Sequence, residues 1–218
     1  MTFISNNKQF VARALISLAL IAVAASMNTA QAAPTVRLSG QATVGSLSQV
    51  LVGALTSLGV QPSAVGYSAL FKGQAYFPIS SGAIDTATAK GEILHSGGLR
   101  LSAGSTRVEL TDFIIDTIST PRLTGLVTAN GDLVGRIPLF NLGLPQLSLP
   151  LAPHGRRLIV PNVTVTLTQE AANALNGAFN INAFQPGFNI GEAKVSAWIR
   201  GGVGASYLHL PHPGDDWR

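Results

Sequence analysis

The sequence predicts a mainly β fold: antiparallel sheets, arranged as a sandwich or a partly open barrel of many short strands, with two short α-helices. Three observations predict it. Apolar and polar residues alternate with a period of two in several segments. The 23 Gly and 12 Pro residues are scattered and punctuate short segments throughout. Only two segments carry a helical period.

The chain opens on a different pattern. Lys8 and Arg13 precede an apolar stretch from Ala14 to Met27, and Ala30-Gln31-Ala32 follows. This is the form of a secretory signal peptide cut after Ala32. The apolar core of 14 residues falls short of the roughly 20 needed to span a bilayer. The expected organisation is a signal peptide over 1–32, a single β-rich domain over 33–200 and a loose tail over 201–218. Export to the periplasm, the cell surface or the medium follows from that leader.

Charge narrows the partners. The 14 Lys+Arg less Lys8 and Arg13 leave 12, against 10 Asp+Glu, a net of +2 after cleavage. Arg156-Arg157 is the longest basic run. A nucleic-acid binder concentrates its positive charge on one face, so nucleic acid is not expected as a partner. The chain has no Cys, which removes disulfides, thiolate metal sites and thiol nucleophiles. No later apolar run is long enough for a transmembrane helix.

The elements follow in chain order. Leu47, Val50, Leu51, Ala54, Leu55 and Leu58 mark one face of a helix over Ser46–Leu58, with Ser46 placed to cap it and Gly59 to close it. Leu99 and Leu101 alternate with Arg100 and Ser102, and Val108 and Leu110 with Arg107 and Glu109. Asn130-Gly131 between two apolar runs supplies the positive φ angles of a type I′ hairpin turn. From Pro138 to Pro161 the prolines disfavour central strands, which predicts an irregular edge or an extended loop. Val163, Val165 and Leu167 form one face of a strand. A short Ala-rich helix is expected over Gln169–Asn176, capped by Thr168 and followed by Gly177. Ala193, Val195, Ala197 and Ile199 alternate with polar neighbours in a last strand. The helix entries SLSQ (Ser46–Gln49) and TLTQ (Thr166–Gln169) are alike, through either duplication or the shared preference for a hydroxyl cap.

Two stretches carry a family resemblance. FPISSGAIDTATAKGEILHSGGLRLSAGSTRVELTDFIID (Phe77 to Asp116) resembles the central strands of the HtaA domain family, exported bacterial domains known for binding haem. NVTVTLTQEAANALNGAFNINAFQPGFNIGEAKVSA (Asn162 to Ala197) is similar to that family's closing unit. The resemblance touches most of residues 40–200. It implies a β-rich domain with two short helices, and haem as a possible cofactor. It also implies a haem-ligating Tyr in or after the first helix and a His on the central Gly-rich strand. Here the first helix has no Tyr, the next being Tyr67, and the His slot holds Ala103-Gly104. His95 lies about nine residues earlier. This member either binds haem through other side chains or binds none.

The candidate ligand-binding residues are therefore Tyr67, Tyr76 and His95. A tyrosinate or a neutral imidazole can ligate iron. Each residue also has a plain structural role open to it, a packed ring or a turn hydrogen bond. His209 and His212, with Asp215 and Asp216, could grip a cation only if the Gly/Pro-rich tail held them in place. Asp112 and Asp116 could pair on one strand face, or serve a buried strand and its turn. No nucleophile, zinc or nucleotide motif is present. The expected function is an exported non-catalytic module that binds a small apolar or amphipathic ligand, or an envelope partner protein. A surface-assembly protein is the alternative, suited by 46% hydrophobic and 11% charged residues. An exported hydrolase with a dispersed site is the third reading.

Overall fold

The computed structural model describes residues 35–200. The leader, the tail and the His209/His212 pair lie outside the described residues. Eleven strands and two helices follow in the order β1 (Thr35–Leu47), α1 (Gln49–Ser57), β2 (Gln61–Val65), β3 (Ala69–Phe71), β4 (Gln74–Asp85), β5 (Gly91–His95), β6 (Gly98–Ala103), β7 (Thr106–Asp116), β8 (Arg122–Ala129), β9 (Asp132–Gly143), β10 (Arg157–Leu167), α2 (Gln169–Phe179) and β11 (Asn189–Arg200).

All strand pairs are antiparallel. Eight strands form a closed barrel in the order β7-β5-β4-β1-β11-β10-β9-β8, and the β7–β8 pairing completes the ring. Closure removes the exposed edges that an open sheet would carry. β5 and β6 run along the same edge of β7, β5 against its C-terminal half and β6 against its N-terminal half. They are separated at Ser96-Gly97, where the outer partner changes from β4 to β2. Gly97 sits at φ +80°, and a Cβ there would lie 2.5 Å from Ser68 Oγ. The neighbouring Gly98 lets the Leu110 carbonyl approach so closely that a Cβ would overlap it. The Gly-Gly pair thus permits the fork, by left-handed backbone at one position and close approach at the other.

Period-two alternation sets which side chains enter the barrel. Val163, Val165 and Leu167 are buried on β10, and Val195, Ala197 and Ile199 on β11. The Asn130-Gly131 hairpin forms as the sequence predicts, with φ of 53° and 96° between the paired Ala129 and Asp132. Asp112, at φ 49°, lies in a register shift on β7, and Asp116 Oδ1 accepts from the Ile118 N–H at 2.8 Å in a turn. The aspartates thus take up bulge and turn positions.

Helix boundaries differ from expectation. β1 continues through Leu47, so the α1 cap is Ser48, whose Oγ accepts from Leu51 N–H at 3.0 Å. α2 keeps its expected cap, Thr168, but runs through Gly177 to Phe179 and ends at Asn180 in the left-handed region. The proline stretch departs from expectation only at its two ends; Pro145, Pro150 and Pro153 lie in irregular chain as the sequence predicts. β9 passes through Pro138, and β10 passes Pro161 by a register shift between Val160 and Val163 that removes the need for its missing N–H. The segment 144–156 is irregular, and its Leu151 is buried at the barrel end opposite the helices.

The strand order explains why both helices share one end. β1 and β10 each pair antiparallel with β11, so they run parallel to one another. Each leads directly into a helix, and both helices cover the same mouth of the barrel.

Candidate functional site

The helix-covered mouth contains a cavity of about 120 Å³. Its walls are hydrocarbon throughout: Leu51 and Leu55 from α1, Ala171, Ala174 and Leu175 from α2, and Leu110 at the head of the strands. Their origin is local and simple. α1 presents Leu51 and Leu55 inward, four residues apart. α2 presents Ala171, Ala174, Leu175 and Ala178 on the same face, and its small alanines leave space where larger side chains would fill it.

Polar groups around the cavity are spent on holding the helices. Thr168, 4% exposed, donates to the Pro138 carbonyl at 2.8 Å and accepts from Ala171 N–H at 3.1 Å. This fixes the start of α2 to β9. Asn176 clamps the following loop, donating to the Phe184 carbonyl at 2.8 Å and accepting from Phe184 N–H at 3.1 Å. Phe184 then closes one side of the cavity and packs edge-on against Phe188 at 5.4 Å. Ser48 Oγ also donates to the Asn189 carbonyl, tying α1 to β11.

The sequence-derived candidates occupy three separate environments. Tyr67 follows β2 and is 83% exposed. Tyr76 lies on β4, and its hydroxyl donates to Gln74 Oε1 at 2.6 Å. His95 is 5% exposed, at the end of β5. None of the three lines the helix-end cavity.

His95 has a defined protonation pattern. Nδ1 lies 3.2 Å from the Phe113 carbonyl, which can only accept, so Nδ1 carries the proton. Nε2 therefore accepts from the Thr43 hydroxyl at 2.7 Å. Burial pushes the imidazole down to about 4 from its ordinary 6.5, while carbonyl hydrogen bonds act weakly in the opposite sense. Both ring nitrogens are engaged, and His95 joins β5 to β1 and β7. Among the described residues no group of three or more His, Asp or Glu is placed to hold a metal ion.

The cavity-forming residues were not singled out from the sequence, because none of them is chemically distinctive. The available signal was the alanine spacing in α2, where Ala171, Ala174 and Ala178 recur on one face.

No family model and no curated protein matches the sequence. Solved structures do match. The C-terminal domain of HtaA from Corynebacterium glutamicum is 16% identical, with a TM-score of 0.58, over 75% of this chain and 99% of that domain. The N-terminal domain of the same protein is 12% identical, with a TM-score of 0.55, over 75% and 99%. A domain-swapped dimer of a variant of the C-terminal domain is 18% identical, with a TM-score of 0.50, over 69% and 93%. No helix among the described residues is long and apolar enough to cross a membrane. The chain is thus an HtaA-like β-barrel in fold, with a helix-covered hydrocarbon cavity at one mouth.

Proposed function

We propose that the chain is an exported, non-catalytic binding module that holds an apolar or amphipathic small molecule in the cavity beneath α1 and α2. One observation carries this reading. The cavity is lined almost wholly by hydrocarbon, is partly open to solvent, and has polar neighbours that are already paired. Apolar cavities of this kind take up apolar guests readily. Export rests on the leader pattern at residues 1–32.

Haem, which the HtaA resemblance implies, would meet no imidazole, phenol or thioether on these walls. An iron ligand would have to come from elsewhere, with Tyr67 and Tyr76 as the candidates whose side chains are not buried in the core. Parallel titrations with haemin and with Nile red separate the two cases. The proposal expects saturable Nile red binding, lost in Ala174→Trp, and no Soret shift with haemin. A Soret shift that disappears in Tyr67→Phe or Tyr76→Phe would replace it with a haem-ligating site.

A protein partner in the envelope is a second reading, favoured by exposed apolar side chains. Tyr67, Phe71 and Leu133 are 83%, 63% and 66% exposed. Light scattering after size exclusion tests self-assembly, and a clean monomer removes the surface-assembly form of this reading.

A further inference from the structure

The barrel interior holds a second apolar cavity, of about 80 Å³, next to the first. Leu47, Leu99, Leu110, Phe140 and Ile190 line both. The two spaces therefore share a wall of five hydrocarbon side chains, with no polar barrier between them. A third space of about 40 Å³ continues beyond, and it shares Ile115, Leu142, Val163 and Val195 with the second. The far end is covered by Leu144, Leu147 and Leu151.

The register explains why the interior is hollow. Gly45 of β1 is paired with Ala75 of β4 on one side and with Ala193 of β11 on the other. All three face the second cavity. An eight-stranded barrel is only just wide enough for its own side chains to fill it. Where three adjacent strands contribute almost no side chain at one level, the bore left open is that of the missing side chains. A Cβ added at Gly45 would meet nothing nearer than the Ala75 carbonyl oxygen at 4.0 Å. Thr43 is the one buried polar side chain on this wall, and its hydroxyl is bonded to His95. Phe77, the cross-strand partner of Thr43, lies one level along on this same wall and packs edge to face on Phe113 at 5.0 Å.

We infer that the helix-end cavity is the entrance to a channel through the barrel core, and that the ligand carries a single unbranched alkyl chain that threads into it. The inference rests on the binding site proposed above and specifies its ligand class. From Leu47 to Thr43 the wall extends about 10 Å along the barrel axis, once strand tilt is allowed for. The entrance leads to a bore opened only where Gly45, Ala75 and Ala193 lack side chains, which favours a chain one methylene wide over a flat ring. A linear chain fits both, with its head group left at the helix-covered mouth.

The test is calorimetric titration of the full chain with saturated n-alkyl carboxylates of increasing length, each below its micelle concentration. Wild type, Gly45→Leu and Ala193→Leu are compared, with circular dichroism to establish folding. Each added methylene should tighten binding to wild type about fourfold, well beyond the length that fills the entrance. The two variants should bind the short members as wild type does and lose at least tenfold on the long ones. Affinity that levels off at short chains in wild type would overturn the channel and leave the helix-end site standing. So would variants that bind long chains unchanged. Absence of binding at every length would overturn the site itself, and the channel with it. Should both variants fail to fold, the wild-type length series alone decides.

Discussion

Acidification should weaken the fold through His95, whose buried imidazole is held neutral. The imidazole is neutral in the folded barrel, donating from Nδ1 and accepting at Nε2, and burial holds it near 4 against 6.5 in the unfolded chain. Between those values the unfolded chain binds a proton that the folded chain does not. Stability therefore rises with pH across this window, is complete above about 6.5, and falls as the pH drops towards 4. With these two pKa values, the loss between pH 7.5 and pH 5 is about 2 kcal/mol. The assay is urea unfolding at several pH values on wild type and on His95→Gln, which removes the titrating group. The difference between the two pH slopes isolates His95. Equal slopes would refute the assignment of a buried neutral imidazole.

Other substitutions probe the frame around the cavity. Thr168→Ala removes both the α2 cap and the tie to Pro138 and should cost about 2 kcal/mol; a urea midpoint close to wild type would contradict that role. Gly98→Ala drives a methyl into the Leu110 carbonyl and should cost about 2–3 kcal/mol, read as a lowered melting temperature. An unchanged melting temperature would mean that β6 and β7 separate freely at the fork. Leu175→Ala, on the cavity wall, should cost about 2–4 kcal/mol and admit a bulkier dye. Loss of stability without any change in dye preference would separate this residue from the site.

Much of the barrel was legible because most strands have one wet face. Val163, Val165 and Leu167 alternate cleanly, and so do Ala193 to Ile199, so their inward faces could be assigned from sequence. Asn130-Gly131 was equally plain, since few dipeptides supply two positive φ angles. The start of α1 was misplaced because Leu47 satisfies both periods. It continues the strand face of Thr43 and Gly45, and it also begins the helical face of Leu51 and Leu55. Pro138 and Pro161 misled for a different reason: register shifts beside them accommodate prolines that a regular central strand would exclude.

His95 could have been placed better. It follows Ile93 at a spacing of two, and both are buried on the inward face of β5. Read that way, it is a core residue from the outset. The interior cavity had no such signal. Gly45, Ala75 and Ala193 are far apart in the chain and meet only through strand pairing, so no local pattern marks the space they leave. The helix-end cavity is similar in kind, being made of ordinary leucines and alanines brought together by topology.

The central claim is that an apolar ligand lies between the two helices and the barrel mouth. A crystal structure with a terminally brominated alkyl carboxylate bound tests it most directly, because bromine is located by its anomalous signal. The account predicts the carboxylate at the helix-covered mouth, alkyl density passing between Leu51, Leu110 and Leu175, and bromine beyond them in the barrel. Bromine found only beside Tyr67 or Tyr76 on the outer surface, with the space between the helices empty, would contradict it.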